Sequence, residues 1–143
     1  MAKRGQFRKE SGLVRALVRS LRQPDSPMVT LRHAREFDYV SGRTDVLGLL
    51  GDDSLVAFEA KLRDWRRALH QAWRNSSFAN RAYVALPAGY EWVAEKHRDD
   101  FEQLGVGLCF VSGSGIDLAI VGKYSEPLMP WLHQRARNAL ANG

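Results

Sequence analysis

Two apolar runs, 46–50 and 55–58, flank the break Gly51-Asp52-Asp53-Ser54, and a chain written this way is predicted to fold into a β-hairpin. Folded symmetrically about residue 52, the hairpin sets Asp45 opposite Glu59. Side chains alternate faces along a strand, so Glu59 and Lys61 share a face, and an opposed Asp45 joins them. Two acids and an ammonium thus converge at one end of an otherwise apolar pair of strands. Charges in such a place cost stability unless something satisfies them.

The rest of the chain supplies a setting for this hairpin. Leu13, Val14, Leu17, Val18 and Leu21 recur at helical spacing, with Ser11 as N-cap, Pro24 beyond the end, and Arg15, Arg19 and Arg22 on another face. A strand is expected over 28–39, carried by Val29, Leu31, Phe37 and Tyr39, and 40–42 turns it into the hairpin strands 44–50 and 54–62. Residues 64–77 switch to helical periodicity, with Leu62, Trp65, Leu69 and Trp73 as the apolar stripe. A short strand follows at 81–86. Strand, crossover helix and strand together predict a parallel pairing. A helix at 91–104 ends at Gly105. Strands 106–112 and 116–124 are joined by Gly113-Ser114-Gly115, and a helix over 128–141 buries Leu128, Leu132, Ala136 and Leu140. The order predicts an α/β chain of the α+β type, a mixed sheet with helices on both faces.

Composition narrows the function. Charged and apolar contents are ordinary for a folded chain of 143 residues. The single Cys109 excludes an internal disulfide and suits a reducing cytosol, so a cytoplasmic location is expected. The four histidines show no HxxxH spacing and there is no CxxC, which disfavours a structural zinc site. No apolar run approaches the roughly 20 residues of a membrane helix, so no membrane partner is expected. The net charge of +5 is unevenly placed: residues 1–35 hold nine Lys and Arg against Glu10 and Asp25. A basic first quarter on a near-neutral body points to a polyanion, most often nucleic acid, or else to a solvating tail.

The charged hairpin end has a chemical reading. Facing carboxylates raise one another's pKa unless a cation lies between them. A hard divalent ion such as Mg²⁺ or Mn²⁺ takes oxygen ligands, and Asp45, Glu59 and the Ala60 backbone carbonyl are the predicted donors. Lys61 would orient or deprotonate an attacking water, or shield developing charge on phosphorus. The bland alternative is an ion pair at a strand end. Arg63, Arg67 and Arg74 line a neighbouring helix face, either as phosphate contacts or as a solvated surface. Trp65 and Trp73 are expected in the core, and His97 as a satisfied edge residue. Ser112-Gly113-Ser114-Gly115 lacks the spacing of a nucleophile elbow or phosphate loop and reads as a turn.

Asp45, thirteen intervening residues and then Glu59-Ala60-Lys61 resembles the signature of the PD-(D/E)XK nuclease superfamily, found in restriction endonucleases, Holliday-junction resolvases and many repair or phage nucleases. The superfamily core runs α-β-β-β-α-β, and 11–22, 28–39, 44–50, 54–62, 64–77 and 81–86 follow that order. The resemblance implies a restriction-endonuclease-like core over about 11–87 and an extension over 88–143, in one domain preceded by a basic lead-in, 1–10. It implies Asp45 and Glu59 as metal ligands, Lys61 as the catalytic lysine, and metal-dependent cleavage of DNA, branched or single-stranded forms included, in repair, recombination or defence. Gln71 matches a glutamine several branches carry, with DNA contact, positioning of Lys61 or plain surface polarity as its alternatives. Thr44 stands where the motif proline would, and Glu10 is the one candidate for the acid some branches place on the first helix. The rival expectation is a catalytically silent nucleic-acid-binding or assembly module on the same fold. A homodimer would have the terminal hairpin and helix as its available surface.

Overall fold

The structure, a computed structural model, describes residues 7–39 and 42–142. Its elements are α1 (Glu10–Leu21), β1 (Thr30–Tyr39), β2 (Gly42–Leu50), β3 (Leu55–Ala60), α2 (Trp65–Asn75), β4 (Arg81–Pro87), α3 (Trp92–Leu104), β5 (Gly107–Ser112), β6 (Gly115–Ile120) and α4 (Pro130–Asn142). Six strands form one mixed sheet in sequence order, β1 to β6. The β1–β2, β2–β3 and β5–β6 pairs are antiparallel, and β3–β4 and β4–β5 are parallel across the α2 and α3 crossovers. The first six elements keep the α-β-β-β-α-β order. Most of the lead-in 1–10, and Val40 and Ser41 of the expected turn, lie outside the described residues.

Alternation along β3 shows how the sheet is covered. Every residue of Leu55–Ala60 is buried. Val56, Phe58 and Ala60 join Leu13, Leu17 and Leu21 of α1 in one cluster. Leu55 and Ala57 join Leu132, Ala136 and Leu140 of α4 on the other face. α2 and α3 cover that second face further along, through Ala68, Ala72, Val93 and Phe101 packed on Val84, Leu86 and Leu108. Local chemistry sets the ends. Asp64 caps α2 by accepting the Arg67 N–H at 3.2 Å, and Gly105, at φ 70°, ends α3 in the left-handed region open to glycine.

Several sequence expectations change. Leu31 is 66% exposed, because the β1–β2 register shifts between Thr30 and Arg32 and the buried parity passes to Met28 and Thr30. Trp73 is 50% exposed; the buried stripe of α2 is Trp65, Ala68, Leu69, Ala72 and Asn75, while Leu62 packs on the α1 side. α1 starts at Glu10 with Lys9 at its N-cap, so Ser11, the expected cap, lies inside the first turn. β6 stops at Ile120 rather than 124, and α4 starts at Pro130, leaving Leu128 84% exposed in the preceding segment.

Candidate active site

The hairpin closes as its pattern requires. Val46 pairs with Phe58 and Leu49 with Leu55, so the next step of the same register sets Asp45 against Glu59. The strands part there, and a side chain takes over from the ladder: Asp45 Oδ2 accepts the Ala60 N–H at 2.9 Å. Glu59 shares the parity of Leu55 and Ala57 and so points to the face covered by α2. It is 2% exposed. Lys61 follows the last residue of β3, its own N–H still bonded to the Ala85 carbonyl of β4. Its Nζ stands 3.9 Å from Glu10 Oε1 at the first turn of α1. The site thus draws on both sides of the sheet, and Glu10, singled out as the one acid of the first helix, meets the lysine of the triad.

Burial and mutual repulsion govern the two acids. Glu59 is pushed up to about 8, first by burial and then by the negative charge of Asp45; the Asn75 hydrogen bond and Lys61 pull the other way. Asp45 is also raised, chiefly by burial, against the Ala60 N–H and Lys61, with Glu10 adding repulsion. Burial and mutual repulsion therefore both favour the protonated form of Glu59.

Asn75 is the main residue of the site that sequence reasoning does not single out. Fully buried at the end of α2, it donates from Nδ2 to Glu59 Oε2 at 2.7 Å. Its Oδ1 accepts from Tyr39 Oη at 2.6 Å and Thr44 Oγ1 at 2.9 Å. One amide thus ties β1, β2, β3 and α2 together around the buried acid. Thr44 has a use that proline could not serve, since its hydroxyl fixes Asn75 and thereby Glu59. A signal was present: Asn75 continues the 65, 68, 72 spacing of the buried stripe, and a polar residue in that register needs partners.

Arg63, Arg67 and Arg74 are exposed. Arg67 uses its backbone N–H in the cap, and Arg74 lowers the pKa of Tyr39 by its charge, against the dominant effect of burial. Arg66, not singled out from sequence, lies over the Trp65 ring at 4.3 Å. The His97 ring lies tilted against Trp65, centroids 4.5 Å apart, and pairs with Asp100, an edge role as expected. Gln71 is half-buried one turn before Asn75, and its Oε1 is buried with no hydrogen-bond partner.

Among the described residues no group of three or more His, Cys, Asp or Glu gathers to hold a metal ion. Asp45 and Glu59 are the two side chains that could offer carboxylate donors to an ion here. Their chemistry fits a hard divalent cation of the Mg²⁺ type, which takes oxygen donors, often from one or two carboxylates, and retains water.

No family model matches the chain, and no curated protein matches it. Among solved structures, the chain is similar to a protein of unknown function from Silicibacter pomeroyi, with a TM-score of 0.65 and 20% identity over 98% of this chain and 85% of that one. That likeness extends the fold over nearly the whole chain. A repair endonuclease from Pyrococcus abyssi gives a TM-score of 0.39 and 18% identity over 72% of this chain and 45% of that one. No helix among the described residues is long and apolar enough to cross a membrane.

Proposed function

We propose that the protein is a Mg²⁺- or Mn²⁺-dependent nuclease of the PD-(D/E)XK type that hydrolyses phosphodiester bonds in DNA. The observation that carries this reading is the juxtaposition of Asp45 and Glu59, two carboxyls raised by burial and by each other, with Lys61 beside them at the end of the central strand. A purely structural role gives no reason to set two acids face to face in a buried place. Asp45 and Glu59, with the Ala60 carbonyl, would hold the ion. When bound, it lowers the pKa of a coordinated water and offsets charge on the phosphate. Lys61 orients the attacking water or shields the phosphoryl oxygens. Glu10 holds the Lys61 ammonium in place, and Asn75 fixes the direction of Glu59. Arg63, Arg67, Gln71 and Arg74 are the nucleic-acid contacts proposed on the α2 side.

The test is cleavage of plasmid, single-stranded and branched DNA with and without Mg²⁺ or Mn²⁺. Metal-dependent cleavage that disappears in Asp45→Ala and Lys61→Ala is the expected result. Activity unchanged in both variants would sink the assignment. Salt-sensitive DNA binding with no calorimetric metal binding would point to the catalytically silent module instead.

A further inference from the structure

The outward face of α1 carries more unpaired positive charge than a solvated helix needs. Arg15, Val18, Arg19, Arg22, Gln23 and Arg35 line a groove of about 400 Å³ between α1 and edge strand β1. A second groove, of about 450 Å³, shares Arg15 and Arg19 and runs on past Arg8 and Lys9 to the start of the helix. The two are therefore continuous along the helix. Among the described residues none of Arg15, Arg19, Arg22 and Arg35 forms a salt bridge, whereas Glu10 is taken by Lys61. His33 is crowded at the same end: burial, and after it the charges of Arg22 and Arg35, hold its pKa down. Like charges packed this closely without a counter-ion form a seat for an anion.

We propose that the outer face of α1 and the adjoining edge of β1 form a phosphate-backbone track that seats a DNA strand and leads it to the Asp45–Glu59 site. Its direction toward that site rests on the nuclease reading, while DNA binding by the track does not. Arg15, Arg19 and Arg22 recur at i, i+4 and i+7, so they stack along one helix face over about 10 Å. That length spans roughly three steps between successive phosphates of one strand, at about 3.4 Å of duplex axis each. At its far end the track reaches Arg8 and Lys9, next to Glu10, whose carboxylate touches Lys61. Apart from Gln23 and Phe7, the groups facing the grooves are long cations or small apolar and hydroxyl side chains, so the track meets a strand mainly through its backbone charge.

The test is fluorescence anisotropy of labelled single-stranded and duplex DNA at graded salt, in chelator so that no cleavage intervenes. The expected result is that the Arg15→Gln/Arg19→Gln/Arg22→Gln variant loses at least about tenfold in affinity, and that its log–log salt slope flattens by about 2–3, close to one per lost phosphate contact. Lys96→Gln/Arg98→Gln, exposed on α3 and outside every contact assigned to DNA, should change affinity less than about threefold by the same reasoning. A thermal melt establishes that each variant is folded. Should the triple variant not fold, Arg35→Gln alone is to flatten the slope by about 1. Parental affinity in a folded triple variant, an unchanged slope in Arg35→Gln where that variant decides, or an equal loss in the α3 variant would each overturn the track. Binding through α1 without metal-dependent cleavage would keep the track and remove the nuclease reading. Cleavage that is indifferent to the α1 variants would do the reverse.

Discussion

Asn75 ties the site together more than any acid does. Its amide has one donor on Glu59 and one acceptor shared by Tyr39 and Thr44, all buried together. Removing it takes one buried hydrogen bond from each of two hydroxyls and a carboxyl, and buried bonds lost in this way carry a desolvation penalty. Asn75→Ala is expected to cost about 2–4 kcal/mol, a fall of roughly 6–15 °C in Tm for a chain of this size, read by thermal circular dichroism. Asn75→Asp keeps both hydroxyl contacts but turns a carboxylate toward Glu59, so its stability should fall more steeply with rising pH than the parent's. A flat comparison between the two would contradict the role given to Nδ2. The sequence made the other half of the site legible. Asp45, Glu59 and Lys61 could be placed because a symmetric hairpin and a period of two fix which side chains meet. Asn75, Tyr39 and Thr44 could not, because their meeting depends on how α2 seats on the sheet. Nor does a helix-ending Asn-Ser-Ser announce a buried partner at long range.

The same distinction governs the elements. Element order and the parallel and antiparallel pairings followed from periodicity and from the connections between elements, both local properties. Which face of α2 goes inward did not follow, since Trp73 was given more weight than Ala72. Ala68 and Ala72 are both fully buried between helix and sheet, and small side chains there let α2 approach β3 and β4 closely; the bulk of Trp73 falls outside. The β1 bulge misled in another way, by inverting the parity of Leu31 relative to Phe37. A close approach also marks the start of β5. A Cβ on Gly107 would stand 2.3 Å from the Tyr83 ring and 2.6 Å from the Gly122 backbone. Gly107→Ala should therefore force a shift of backbone and ring and cost about 1–3 kcal/mol or more by chemical denaturation. Because Gly107 pairs with Tyr83 at the far side of β4, the variant should keep the metal affinity of the parent at temperatures where it is folded. A loss of affinity in the folded variant would show that the site depends on the whole sheet, not on the β2–β3 end alone.

At the scale of the molecule, the site should make stability depend on pH in a direction opposite to ordinary acid denaturation. Glu59 has a folded pKa of about 8 against an ordinary 4.5, and Asp45 is raised as well. Between those values the folded state binds the proton more tightly than the unfolded chain, and the slope of unfolding free energy with pH follows protons bound in the unfolded minus the folded state. That difference is negative. The contribution of Glu59 to stability is thus fully present below about pH 4.5 and is lost as pH rises through about 8. Without metal, Tm should decline from pH 5 to pH 9. A divalent cation competes with that proton, so Mn²⁺ should raise Tm more at the alkaline end and release protons on binding, measured by calorimetry in buffers of different ionisation enthalpy. Glu59→Gln leaves a neutral group that can still face Asn75. It should raise the metal-free Tm at pH 8–9 by roughly 3–10 °C, flatten the decline, and lose the response to Mn²⁺. A parent chain whose metal-free stability rises through this window would mean that the acids are satisfied without a cation. The metal reading of the site would then lose its physical basis.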